Sequence, residues 1–298
     1  MNDIWFSLDI NPAANNVADI FKRAQLADDL GYDLVTSQDH PYNRHHLDTW
    51  TMLTAVAIKT ERVRIGTNVA NLPLRPPAML AKQTATLSIL ADREIALGVG
   101  AGAFWKGVKA YGGEERRPKV AYEAFAEALQ ILHGMWDNVD KGFTFEGDHY
   151  HIQGAIPGPA PAHKPRIWVG AMGPKMLNLT GRMADGLWIS IPYVPPEKLT
   201  WFNERIDEGA AEAERQPDEI RRGYNLMGTL DPDRGTGEVS DKGIFGNSKY
   251  WADQLSRFHE QYRQDTFNFW PAGEAPYEQI ERFAHEVIPA VQERFGQG

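Results

Sequence analysis

Short runs rich in β-branched and aromatic residues alternate along this chain with longer segments whose apolar residues recur every three or four positions. The runs are Ile4 to Leu8, Leu34 to Ser37, Val63 to Thr67, Ile95 to Val99, Arg166 to Val169, Gly186 to Ile189, Arg222 to Leu230 and Thr266 to Trp270. Among the longer segments are Val17 to Leu30, Pro77 to Leu90, Lys119 to Met135, Pro174 to Met183 and Ser248 to Tyr262. A period near 3.6 marks a helix, whereas a short apolar run bounded by turn residues marks a strand. Strand and helix in alternation mean parallel strands joined by crossover helices. Eight such units predict an α/β fold closed into a (β/α)8 TIM barrel, with residues 1–298 as one domain.

Two insertion segments break the rhythm. Phe143 to Ile152 alternates aromatic and polar residues around Glu146-Gly147-Asp148 and predicts a hairpin between the fourth helix and the fifth strand. Thr229 to Phe245 is rich in Gly, Asp and Pro, has no period, and predicts a mobile loop after strand seven.

The 298 residues carry a net charge of −9 and contain no cysteine. The charge disfavours nucleic acid and anionic membranes as partners, and no apolar run reaches the roughly 18 residues of a membrane span, so a cytoplasmic protein is expected. Without cysteine there are no disulfides, thiolate metal sites or thiol nucleophiles, and any redox chemistry falls to a bound cofactor.

Active sites of such barrels lie at the C-terminal ends of the strands. Strand two ends in Gln38-Asp39-His40-Pro41-Tyr42-Asn43-Arg44-His45-His46, strand three in Gly66-Thr67-Asn68-Val69-Ala70, strand four in Gly98-Val99-Gly100-Ala101-Gly102, and strand five in Gly170-Ala171-Met172-Gly173-Pro174. Glycine here lets backbone approach a flat ring or a phosphate, although strand-to-helix turns also favour it on their own account. Gly170 to Pro174 opens a helix whose first-turn N–H groups suit an anion. The glycines after strand four fail the dinucleotide pattern, because Ala103 stands where a third glycine is required and no helix opens immediately afterwards.

His40 is the candidate proton handler, since imidazole titrates near neutrality and Asp39 precedes it; the competing reading is a packed rim histidine. Adjacent His45 and His46 rarely point at one ion, so no metal site is expected. Lys106, Lys109, Arg116, Arg117 and Lys119 form a basic stretch that would hold an anionic cofactor tail if it borders the cavity, and is otherwise a solvated face. Trp105, Tyr42 and Trp50 are candidate walls.

Taken together, Gly31-Tyr32-Asp33-Leu34-Val35 to Asp39-His40, Val63 to Val69, Ala85-Thr86-Leu87, Asp92 to Gly102 and Ala184-Asp185-Gly186 resemble the luciferase-like monooxygenase superfamily. Phe283 to Pro289 is similar to its last helix, and Tyr193 to Phe245 matches poorly. The Asp-His after strand two and the Gly-Val-Gly-Ala-Gly after strand four are most similar to the branch that uses the deazaflavin coenzyme F420. That resemblance implies hydride transfer between F420 and a small-molecule substrate, with His40 near the reacting carbon. It further implies Asp39 in contact with the deazaflavin, a non-prolyl cis bond at Asn68-Val69 backing the ring, Gly100, Ala101 and Gly102 beside it, and Gly170, Ala171, Met172, Gly173 and Pro174 on the phosphate. A homodimer is implied as well. Arg44 and Ala103 replace the tryptophan and glutamate of the sugar-phosphate dehydrogenases, so that group's substrate and acid do not carry over. The alternatives are an FMN-dependent two-component monooxygenase, a non-catalytic binder of flavin or deazaflavin, and a metal-dependent barrel hydrolase.

Overall fold

A computed structural model describes residues 3–296. Its barrel strands are β1 (Trp5–Asp9), β2 (Leu34–Ser37), β3 (Arg64–Thr67), β4 (Ile95–Gly100), β5 (Arg166–Gly170), β6 (Gly186–Ser190), β7 (Arg221–Leu230) and β8 (Thr266–Pro271). Each is parallel to its neighbours, and β6 pairs with β7 while β8 pairs with β1, which closes the ring. The helices that follow the strands are α1 (Val17–Asp29), α2 (Thr49–Lys59), α3 (Pro77–Ala91), α4 (Pro118–Asp137), α5 (Pro174–Met183), α6 (Leu199–Glu212) and α7 (Ser248–Tyr262), and one further short helix, Trp105–Ala110, opens close behind the glycines of β4. The last, α8, runs Pro276–Arg282, passes through a π-helical turn at Phe283–Val287 and ends as Ile288–Arg294. The predicted (β/α)8 barrel is therefore the fold. No helix among the described residues is long and apolar enough to cross a membrane.

Two layers of core follow from the alternation of side chains along each strand. Residues such as Phe6, Leu8, Val35, Ile65, Leu97 and Ile167 point outward and pack beneath the helices in one large buried cluster. Inside the barrel a smaller cluster holds Trp5, Leu34, Ala96, Trp168 and Trp188. Trp168 and Trp188 stack with centroids 4.5 Å apart. They fit because the residue opposite each on the next strand is glycine: Trp168 faces Gly186 and Trp188 faces Gly223. A Cβ at either glycine would lie 2.4 Å from the facing indole. At the lower end Trp5 plugs the barrel, with the guanidinium of Arg221 3.7 Å and that of Arg64 4.3 Å from its ring, a cation–π closure.

Several motif residues behind the family resemblance work at this lower end. Asp33 accepts from Phe6 N–H at 2.8 Å and Asp185 from Ile167 N–H at 2.7 Å, each carboxylate tying a loop to the start of a barrel strand. Arg93 donates to the carbonyls of Ala57, Thr60, Val63 and Ala91, so that it closes the α2–β3 connection.

The hairpin expected over Phe143 to Ile152 is Phe143–Glu146 paired antiparallel with His151–Ala155. Thr229 to Phe245, expected as an aperiodic loop, instead contains two strands. Gly243–Gly246 lies parallel to the end of β7, and Glu238–Ser240 pairs antiparallel with it. The strands are too short to show a period, and only the long β7, which projects beyond the barrel, supplies an edge for them.

One group inside the barrel carries a pH signature. Asp9 is fully enclosed, and burial pushes its carboxyl well above the usual range, only partly opposed by the Thr36 hydroxyl and the charge of Arg23. Its ionisation is opposed. The unfolded chain releases that proton at about pH 4 while the folded chain holds it to higher pH, so over that range the unfolded state binds fewer protons and stability falls as pH rises. Asp9→Asn, which keeps the shape without an ionisable proton, should therefore raise Tm more at about pH 8 than at about pH 5. Equal shifts in calorimetry at both pH values would show that Asp9 does not resist ionisation.

Candidate active site

At the C-terminal mouth of the barrel lies an open cavity of about 540 Å³. The ends of β2 to β8 all reach it: Gln38, Asp39 and His40; Asn68, Val69 and Asn71; Gly100 to Ala103; Gly170 to Met172; Trp188 to Ser190; Asn225 and Met227; and Trp270. Of the candidates from sequence, Asp39, His40, Tyr42, Asn68, Val69, Gly100, Ala101, Gly102, Gly170, Ala171 and Met172 line it together. Gly173 and Pro174 are not on the wall; they begin α5, and no side chain caps its first turn, which leaves those N–H groups free.

The Asn68–Val69 peptide is cis. Its surroundings correct the reading of the glycines as room for a ligand. A Cβ at Gly100 would stand 2.8 Å from Val69 Cγ2, one at Gly98 3.1 Å from Val69 Cγ1, and one at Gly170 3.1 Å from Val69 Cγ2. Val69 is the nearest neighbour at Gly100 and Gly170, whereas at Gly98 the Thr67 carbonyl oxygen, 2.0 Å from that Cβ, leaves no room for a side chain. At Gly102 the neighbours are Pro73 and the Trp105 ring, so Trp105 supports the backbone of that loop and does not line the cavity.

Beneath Val69 a polar layer spans the barrel. Asn225 is its centre: Oδ1 accepts from Asn68 at 2.6 Å and from Asn268 at 2.9 Å, while its Nδ2 donates to Ser190 at 2.9 Å. Thr36 donates to Asn268 Oδ1 at 3.2 Å. This layer fixes the floor, since buried amides hold their geometry only while each partner is present.

Asp39 is almost fully buried and bound by protein donors. Arg75 Nε and Nη2 reach its two oxygens at 2.6 and 2.7 Å, and Asn71 N–H adds a bond at 2.9 Å. A second carboxylate, Asp48, takes Arg75 Nη2 at 2.7 Å. Burial opposes the charge on Arg75, but Asp39 and then Asp48 outweigh it and hold the guanidinium firmly protonated. Asp39 thus ties the loop after β2 to the loop after β3. Oδ1 accepts from Arg75.

His40 is half-buried, and its Nδ1 lies 2.9 Å from the Tyr42 hydroxyl. Desolvation lowers the pKa of His40, with the Asp39 charge opposing, so the imidazole is neutral at neutral pH. The Tyr42 phenol is raised, chiefly by burial, and stays protonated, while the Asn71 side chain bonds its oxygen. With Nδ1–H donating to the phenol oxygen, the Nε2 of the neutral ring keeps its lone pair and can accept a proton. Tyr42 is held in turn by Phe104, edge-on at 5.1 Å.

Other candidates fall away from the cavity. His45 takes the Arg44 guanidinium at 3.0 Å, whereas His46 turns toward His40 with ring centroids 6.3 Å apart, so the adjacent rings diverge. Among the described residues no group of three or more His, Asp or Glu is placed to hold a metal ion. The basic stretch is not on the wall: Lys109 pairs with Glu115, Lys119 with Glu123, and Arg116 lies against Tyr150. Trp50 is buried in α2 and does not reach the cavity.

Sequence reading stopped at strand five and passed over Asn71, Trp188, Ser190, Asn225, Met227 and Trp270. One signal was present: Ser190, Asn225 and Asn268 are polar residues at inward positions of apolar strands. Three wall atoms are buried without a hydrogen-bond partner, namely the acceptor Asn71 Oδ1 and the donors Trp188 Nε1 and Trp270 Nε1.

The chain is similar to several known proteins. The chain is 35% identical over 188 residues to a phthiodiolone/phenolphthiodiolone dimycocerosates ketoreductase of Mycobacterium kansasii, covering 62% of this chain and 48% of that protein. It is 29% identical over 234 residues to an F420-dependent glucose-6-phosphate dehydrogenase of Microbacterium testaceum, covering 76% and 66%. The chain thus spans about half to two thirds of the length of these curated relatives. Among solved structures, an F420-dependent secondary alcohol dehydrogenase in complex with an F420-acetone adduct superposes with a TM-score of 0.86 over 97% of this chain and 99% of that one, at 22% identity, a likeness of fold. Residues 4–236 match the family model described as luciferase-like monooxygenase, and the chain belongs to that family.

Proposed function

We propose that this protein is a coenzyme F420-dependent oxidoreductase that transfers a hydride between the deazaflavin and a small organic substrate. The observation that carries the reading is the meeting, in one cavity at the strand ends, of a neutral imidazole with a largely apolar wall that includes Val69, Ala101, Met172 and Trp270, over a floor fixed by Asn68 and Asn225, which suits a flat ring beside a proton-handling group. The cavity volume suits a tricyclic ring with a substrate beside it.

On this reading Asn68 and Val69 back the ring, and Gly100, Ala101 and Gly102 run beside it. Gly170, Ala171, Met172, Gly173 and Pro174 bring the open first turn of α5 to the phosphate, and Asp39 meets the ring. The bound coenzyme supplies or accepts the hydride. His40 handles the proton on the substrate oxygen through Nε2, with Tyr42 holding the tautomer. FMN presents a similar pyrimidine edge, so the choice of F420 rests on the named relative that shares 29% identity over 76% of this chain.

Fluorescence titration with F420 and with FMN tests the choice, followed by anaerobic mixing of the F420 complex with candidate substrates. F420 should bind at least about ten-fold tighter, a difference of about 1.4 kcal/mol, and its absorbance should change on turnover. Equal or tighter FMN binding, with oxygen uptake when a flavin reductase is added, would establish the monooxygenase reading instead. Binding without turnover of any substrate would identify a non-catalytic binder.

A further inference from the structure

We infer that the short helix Trp105–Ala110 sets which nitrogen of His40 carries the ring proton, with Gly107 as the positioning residue that seats Tyr42 against the imidazole; this rests on the reading of His40 as the proton handler. Gly107 is buried in the interior of that helix. Its backbone is helical, so conformation does not call for glycine, and at a helix interior alanine is the favoured residue. Packing calls for it instead. A Cβ at this position would stand 2.6 Å from Tyr42 Cγ and 2.5 Å from Phe104 Cδ1. Phe104 is 53% exposed and has room to turn outward. Tyr42 has no such freedom, because the crowded atom is the root of its ring and its hydroxyl end is already bonded by His40 and by the Asn71 side chain. Nor can the helix back away, since Val108 is fully buried and the Trp105 ring lies against Gly102.

The consequence passes through one hydrogen bond. The Tyr42 hydroxyl is 2.9 Å from His40 Nδ1, and in a neutral imidazole the bond made by one nitrogen decides where the single ring proton sits. With that proton given to the phenol oxygen from Nδ1, Nε2 is open to take a proton from a substrate alcohol as the hydride leaves its carbon for the coenzyme. A side chain at position 107 would tilt the phenol, and the bond no longer exists once the separation reaches about 3.6 Å. His40 would then be released to carry its proton on Nε2, where it blocks the acceptor. Gly107 thus acts on the imidazole through Tyr42 without touching the cavity wall, of which it is not a part.

Nitrogen NMR of the full chain labelled with 15N at histidine reads the tautomer directly, at about pH 8 where His40 is neutral, with the His40 signals assigned by their loss in His40→Asn. In the wild type the ring proton should be on Nδ1. Gly107→Ala and Tyr42→Phe should each move it largely to Nε2, and Gly107→Ala should lower Tm although alanine is the better helix former. If Gly107→Ala does not fold, Gly107→Ala/Phe104→Ala takes its place with the same tautomer expected, because it removes one crowded ring and leaves the clash with Tyr42 Cγ. In turnover, kcat should fall about ten-fold or more in either single variant and little further in Gly107→Ala/Tyr42→Phe, since both act through one bond, while the F420 dissociation constant stays within a few-fold. A wild-type proton on Nε2, a Gly107→Ala protein that keeps the wild-type tautomer or gains stability, or additive losses in the double variant would overturn the inference. If F420 does not bind or no substrate turns over, the oxidoreductase reading fails in the titration and mixing described above, whereas the tautomer, which needs neither, still decides this inference.

Discussion

Replacing His40 by asparagine is expected to lower kcat by about 10²- to 10⁴-fold while leaving the F420 dissociation constant within a few-fold, because a group that moves a proton in the transition state contributes to turnover and little to ground-state binding. The pH dependence should carry the same residue's signature. Burial lowers the His40 pKa, so alcohol oxidation, which needs the neutral imidazole as base, should be flat through neutrality and fall only in acid below the usual imidazole range. The reducing direction has the opposite sign and slows as pH rises through that pKa. Loss of Nε2 should abolish both limbs. Steady-state rates across pH for wild type and His40→Asn check this, and unchanged turnover in the variant would remove His40 from the chemistry and turn attention to Tyr42.

The largest effect on stability is expected at Asp39. Its side chain is 1% exposed, and that of Arg75 is 12% exposed. Asp39→Ala removes the partner of a largely buried guanidinium and leaves Arg75 with Asp48 alone, while Asn71 N–H loses its acceptor as well. Breaking one side of such a pair typically costs about 3 to 5 kcal/mol, for the reason that the remaining charge stays desolvated. Chemical denaturation should register a loss of that size, and Asp39→Asn, which keeps the shape and one acceptor oxygen but loses the charge, should fall between. F420 affinity should drop with it, since the loop from Asn68 to Arg75 would lose its anchor to β2. A change below about 1 kcal/mol would mean that Arg75 reaches solvent without cost and that the two loops are held by packing alone.

Both expectations concern adjacent residues that one motif, Asp39-His40, presented as a unit. The structure separates them. Asp39 faces into a salt-bridge cluster whose other members are Asp48, at the far end of the same loop, and Arg75, in the loop after β3. His40 faces Tyr42 and the cavity. No pattern in a linear sequence joins Arg75 to Asp39, because the contact depends on the loop after β3 folding back across the mouth.

The glycines teach a related lesson. Their accumulation at Gly98, Gly100 and Gly170 was legible, and so was their place at the barrel mouth. Their occupants were not, for a missing side chain says only that something needs the space, and here it is Val69 at Gly100 and Gly170 and the Thr67 carbonyl at Gly98. The unpartnered atoms of Asn71, Trp188 and Trp270 were equally silent, since each is an ordinary residue until the neighbours that fail to satisfy it are known.

By itself the sequence determined the class of fold, the order of the strands, the end of the barrel that carries the site and the family. All of these follow from local periodicity and from short motifs, which the chain writes in consecutive residues. Tertiary structure alone decided which side chains converge. It left the basic stretch off the cavity wall, made paired strands of an aperiodic loop, seated Val69 against Gly100 and Gly170 and gave His40 its phenol partner. The physical reason is that periodicity fixes the face a residue takes on its own strand or helix, whereas convergence depends on closure of the barrel, which brings residues such as Asn68 and Asn225 within 2.6 Å across 157 positions of chain.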